Sequence, residues 1–144
     1  MIKDVIIDIK GVQGIDGQTD TVEFTTEGKF GFKNGKYFLS YDEGQMMEDA
    51  DVKTKIWINS YDSLVLQRSG TISSRMEIEK GKRNSCFYST PVGDLCIGIF
   101  GETIDVDLGE TGGSLNMVYT IDSGLTLVSR NEVRITVKEV QKCQ

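Results

Sequence analysis

Apolar and polar residues alternate with a period of two from one end of the chain to the other, and no segment sustains helical spacing over three turns. Val5, Ile7 and Ile9 share one face of the first run. Val22 with Phe24, and then Tyr37, Leu39 and Tyr41, continue the pattern. It recurs in Thr54, Ile56 and Ile58, in Leu64 and Leu66, and in Met76 and Ile78 opposite Arg75, Glu77 and Glu79. The second half carries it on through Leu95, Ile97 and Ile99; Ile104, Val106 and Leu108; Leu115, Met117, Tyr119 and Ile121; Leu125 and Leu127; and Val133, Ile135 and Val137. The chain therefore reads as all-β.

Turn signals separate these runs at short, even spacing: Asp16-Gly17, Asn34-Gly35, Ser69-Gly70, Lys80-Gly81, Pro91-Val92-Gly93, Gly112-Gly113 and Ser123-Gly124. Connections this short join antiparallel neighbours. Asn34-Gly35 is the strongest hairpin signal, because both central residues of the tight primed turn need positive φ. Gly28, Gly31 and Gly98 fall inside strand-like runs and read as bulges or bends. About eight to ten strands with one apolar face must bury that face, either by closing into a barrel or by folding over as a sandwich. Interior glycines and an up-and-down order without long crossovers favour a closed antiparallel barrel. Residues 1–144 are read as one such domain. Only residues 42–51, DEGQMMEDAD, look irregular; a solvated connection is the simpler reading of them, a lid-like loop the functional one.

Composition then removes several kinds of chemistry. The 144 residues contain no histidine, which excludes Ser-His-Asp and Cys-His catalysis, zincin sites and histidine-ligated haem. A formal charge of −6 argues against nucleic acid and anionic membrane as partners. The N-terminal MIKDVIIDIK is interrupted by charge too often for a signal peptide or a span, so a cytoplasmic location is expected. Cys86, Cys96 and Cys143 are odd in number and match no metal-ligand spacing, as for free thiols in a reducing compartment; Cys86 and Cys96 flank a turn and could approach across a hairpin.

The stretches TEGKF at 26–30, KNGKYFLSYDE at 33–43, GTISSRMEIEKGKR at 70–83, YSTPVGDLCIGIF at 88–100, GGSLNMVYTID at 112–122 and SRNEVRITVKE at 129–139 closely resemble the YwiB-like family of small bacterial proteins. The resemblance implies an uncharacterised β-barrel of calycin-like, lipocalin-like shape, and it brings no catalytic residues. The chain departs from the family at Val92, where an aromatic residue often follows the proline.

Candidate site residues come from polar groups on otherwise apolar faces. Arg68 continues the face of Leu64 and Leu66, where a guanidinium inside a barrel could pair bidentately with a ligand carboxylate; the plainer reading is that it snorkels to the rim. Tyr37, Tyr41 and Tyr119 share apolar faces and could offer hydroxyls to the same ligand, or simply donate to backbone carbonyls. Asp105, Asp107 and Glu110 offer oxygens to a hard cation but fit no calcium loop, and Glu77 with Glu79 reads as a solvated face, so no metal and no cofactor are expected. Trp57, with Lys53 and Lys55, is either an exposed contact residue or a ring covered by lysine stems. No P-loop, dinucleotide fingerprint or nucleophile elbow occurs. The expected function is a non-catalytic barrel binding a small apolar or amphipathic molecule through Arg68, Tyr37, Tyr41 and Tyr119. The alternative is a protein-interaction or homodimer module acting through its outer surface.

Overall fold

The computed structural model describes residues 2–42, 52–71, 73–124 and 126–140. Every regular element in them is a strand: β1 Ile2–Ile15, β2 Gln18–Lys33, β3 Lys36–Asp42, β4 Val52–Ser60, β5 Ser63–Gly70, β6 Ser73–Glu79, β7 Arg83–Thr90, β8 Gly93–Gly109, β9 Gly112–Ser123 and β10 Thr126–Glu139. Each strand pairs antiparallel with its sequence neighbour, and β1 closes the sheet on β10 with Ile7 opposite Val137. Alternation alone explains the core. Val5, Ile7, Leu39, Ile56, Leu64, Met76, Ile78, Ile99, Leu115, Met117, Ile135 and Val137 all point inward and are buried.

Asp16-Gly17 and Asn34-Gly35 both have positive φ at their two central residues, as the primed hairpin turn requires. The turn expected at Gly112-Gly113 lies earlier, at Glu110-Thr111, and the two glycines open β9. Gly28 and Gly31 sit in unbroken register in β2, and Gly98 does so in β8, so none of the three marks a bulge. Gly28 is a close approach instead: a Cβ there would meet Ile7 Cδ1 and the Ser40 carbonyl. Over Gly98 lies the Arg83 guanidinium, which reaches from β7 across β8 to Asp122 of β9 and donates two hydrogen bonds, Nε to Oδ2 at 2.9 Å and Nη2 to Oδ1 at 2.6 Å. One carboxylate accepting from two prongs of the guanidinium fork makes a bidentate pair, and it holds the guanidinium pKa above its ordinary value.

Register shifts fall between Ile58 and Ser60, between Gly101 and Thr103, and between Leu127 and Ser129. Each flips the alternation. The second lets Ile99 and Ile104 both face inward although five positions separate them. The third corrects the sequence expectation for Leu127: it pairs with Asp122 on the outer face and is exposed, while Ser129 takes the inward place opposite Ile121. Leu125 lies outside the described residues. The β6–β7 contact is the thinnest in the barrel, with register only at Ser73–Ser89 and Ser74–Tyr88. Beyond it the Asn84 side chain donates to the Glu77 carbonyl at 3.1 Å, replacing part of a missing ladder.

Candidate functional site

In an up-and-down barrel all odd strands end, and all even strands begin, at the same mouth. There β3 delivers Tyr41, β4 Thr54, β5 Arg68 and β6 Ser74, in one cross-strand row set by the pairs Tyr41–Thr54, Thr54–Arg68 and Arg68–Ser74. From the opposite wall come Tyr119 and Asn131, paired across β9 and β10. Between the two walls is a cavity of about 220 Å³, with Arg68, Tyr41, Tyr119, Asn131 and the carboxylates Asp20 and Glu132 in its polar lining and an apolar floor that includes Ile56 and Met117. Such a site, mostly apolar with a few converging polar groups, is what a small-molecule pocket requires.

Three of the four sequence-selected residues therefore come together, and Tyr37 does not. It shares the inward face with Tyr41 but lies four residues away, about 13 Å along a strand. That distance carries it to the far end, where it stacks on Phe30 with ring centroids 5.4 Å apart and meets Phe32 edge-on at 4.9 Å. Tyr41 and Tyr119 are buried, and Tyr41 packs near Phe24 at 6.1 Å.

Sequence reasoning passed over Thr54, Ser74 and Asn131 as site residues, although a signal for each existed. Ser74 continues the face of Met76 and Ile78, and Asn131 that of Val133 and Ile135, by the same alternation that singled out Arg68. Asn131 donates to Ser129 Oγ at 3.1 Å. Thr54 and Ser74 are 1% and 5% exposed, and neither hydroxyl has a hydrogen-bond partner.

The other candidates resolve into surface chemistry. The Lys55 ammonium sits 4.5 Å from the Trp57 ring centroid and 4.7 Å from that of Phe38, so the ring is covered by a lysine. Asp105 and Asp107 are exposed, and among the described residues no three potential ligands gather for a metal. Glu77 accepts from Arg75 at 2.7 Å, and Glu79 pairs with Lys82. A larger open groove of about 710 Å³ lies across β1 to β5, lined by Lys29, Lys53, Lys55, Asp4 and Asp42 among others. Met46 and Met47 of the irregular 42–51 segment, and Cys143, lie outside the described residues.

Cys86 faces inward opposite Ile97, whereas Cys96 pairs with Phe87 on the outer face and is exposed; both are free thiols. Opposite faces of one hairpin do not bring two sulfurs within bonding reach. Burial pushes the Cys86 thiol up from its ordinary value. Because the folded state resists ionisation, the stabilisation from this thiol is complete below the unfolded thiol pKa and is lost as pH rises through the folded one. Native iodoacetamide labelling followed by peptide mapping should mark Cys96 rapidly and leave Cys86 intact. Cys86→Ala should flatten the alkaline fall in stability above about pH 8.5. Equal labelling of the two thiols would contradict this placement.

Residues 7–135 match the family described as "Domain of unknown function (DUF1934)". The chain is 28% identical over 120 residues to the uncharacterized β-barrel protein YwiB of Bacillus subtilis (strain 168), a match covering 83% of this chain and 82% of that protein. The crystal structure of the ywiB protein from Bacillus subtilis superposes with a TM-score of 0.86 at 25% identity, over 97% of this chain and 94% of that one.

Proposed function

Since the chain belongs to the DUF1934 family of unknown function and has the β-barrel of its Bacillus relative, we propose that it is a non-catalytic barrel that binds one small amphipathic molecule at its mouth. The observation that carries this reading is the cavity itself: about 220 Å³ of space inside the barrel, with Arg68, Tyr41 and Tyr119 above a floor of apolar side chains. A barrel of this size can be filled by its own side chains, and here one end is left unfilled where the polar residues cluster. Apolar contact with the floor supplies affinity and the polar wall supplies orientation. The free thiols Cys86 and Cys96 favour a reducing, cytoplasmic setting.

Native mass spectrometry of freshly purified protein, followed by denaturing extraction, tests the reading. A released small molecule at near one-to-one stoichiometry is the expected result. A clean apo mass that does not shift with any member of a library of small amphipathic compounds would count against it. The same spectrum reports oligomeric state and so bears on the second reading, a homodimer or partner contact through the outer surface. That reading draws support from the β7–β8 hairpin, where Phe87, Val92 and Leu95 are all largely exposed.

A further inference from the structure

The outer wall from β2 to β6 carries a feature separate from the mouth. Phe38, Trp57 and Val65 alternate with core residues and so point outward, and they pair side by side across β3, β4 and β5. Phe38 and Val65 are nonetheless only 5% exposed each and Trp57 is half-buried, so an apolar row lies at the base of this surface. Trp57 and Val65 line a groove of about 320 Å³. Three cations line it as well: Lys33 and Lys36, paired across β2 and β3, and Arg75 on β6. Among the described residues no carboxylate lines it, although the chain as a whole carries a formal charge of −6. The side chains of Lys33 and Lys36, and of the lining amides Asn59 and Gln67, enter no hydrogen bond or ion pair among the described residues. Arg75 gives its Nη1 to Glu77 at 2.7 Å, and a guanidinium has further donors on Nε and Nη2.

We propose that this groove is a docking surface for an extended acidic peptide segment of a partner protein, its carboxylates held by Lys33, Lys36 and Arg75 and an apolar side chain between them set against Trp57 and Val65. Charge complementarity carries the choice, because a lining with cations and no carboxylate favours an anionic partner. An apolar centre ringed by polar and charged groups is the anatomy of a protein contact. From β2 to β6 the wall spans four strand spacings of about 4.8 Å, about 19 Å in all, which matches roughly five or six extended residues at about 3.4 Å each. Asn59 and Gln67 sit on the strands between the cationic ends, and each amide offers both a donor and an acceptor, as a peptide backbone requires. Single-stranded nucleic acid needs open ring faces to stack on. Trp57 instead has the Lys55 ammonium 4.5 Å from its ring centroid and the Phe38 ring tilted against it at 5.0 Å. All of these side chains lie on the outer face, so the proposal stands or falls independently of the mouth cavity.

Trp57 is the single tryptophan of the chain, so its fluorescence reports on the groove directly. The probes are the capped peptide Asp-Glu-Leu-Leu-Glu-Asp and its neutral counterpart Asn-Gln-Leu-Leu-Gln-Asn. The acidic peptide is expected to bind roughly tenfold or more tightly at low salt, because hydrogen bonds to charged groups are the stronger ones. The gap should narrow as added salt screens the exposed charges. In the double variant Lys36→Gln with Arg75→Gln, affinity for the acidic peptide should fall roughly tenfold. The melting midpoint should hold, since both side chains are exposed. Removing the same charge elsewhere on the outer face, in Lys10→Gln with Lys138→Gln, should leave affinity within about twofold. An unchanging Trp57 signal, equal binding of the two peptides, equal losses in the two double variants, or tighter binding of a ten-nucleotide oligothymidylate than of the acidic peptide would overturn the assignment, the last in favour of nucleic acid. None of these outcomes bears on the mouth cavity, whose occupancy the native mass reports.

Discussion

Ile56→Ala is expected to destabilise the protein by about 2–5 kcal/mol and, in the same step, to enlarge the mouth cavity. Ile56 is fully buried in β4, between Leu39 of β3 and Leu66 of β5, and it forms part of the cavity floor. Removing three carbons there forfeits their transfer energy and leaves a void that a rigid barrel wall closes only in part. Because the void opens into an existing cavity, the variant should also admit a bulkier apolar probe than the parent does. Urea denaturation gives the first number and probe titration the second. A loss below about 1 kcal/mol would mean that the wall collapses inward and that the floor is softer than its packing implies.

The second large effect concerns a glycine. Gly28→Ala should cost about 1–3 kcal/mol or more, whereas Gly11→Ala should be close to neutral. Both residues face inward, Gly28 between Val5 and Tyr41 and Gly11 opposite Val22. A Cβ at position 28 would meet the Ile7 side chain and, more seriously, the backbone carbonyl of Ser40, which cannot move without disturbing the β2–β3 ladder. At position 11 it would meet nothing within contact distance. The consequence extends to the site, because Ser40 precedes Tyr41, and pushing β3 outward shifts that tyrosine away from the cavity. Thermal melts of the two variants side by side provide the comparison. A Gly28→Ala protein as stable as the parent would show that the strands part freely at this point.

How much of this is written in the residues depends on range. Alternation and turn chemistry are local, so the strands, their up-and-down order and the inward faces of Val5, Ile56, Met76 and Ile135 can be read directly. The motif-level resemblance led to the right family and the right fold. Legibility fails where one residue changes the phase. The bulge near Val128 turns Leu127 outward, and nothing in Leu-Val-Ser marks it. Gly98 looks like a bend until Arg83 is seen lying across it to reach Asp122, 39 positions further on from the arginine.

The site divides along the same line. The sequence by itself determined that Arg68, Tyr41 and Tyr119 project to the inner face, because a period of two needs no knowledge of partners. Only the tertiary structure decided that these three meet at one mouth while Tyr37, on the same face of the same strand as Tyr41, packs against Phe30 at the other end. It also decided that Thr54 and Ser74 flank Arg68, since the register between β4, β5 and β6 sets which inward residues become neighbours. A strand's pattern fixes a face, which is a property of one chain segment. Depth along the barrel and neighbours across it arise from closure, stagger and bulges summed over ten strands, and they exist only once β1 has met β10.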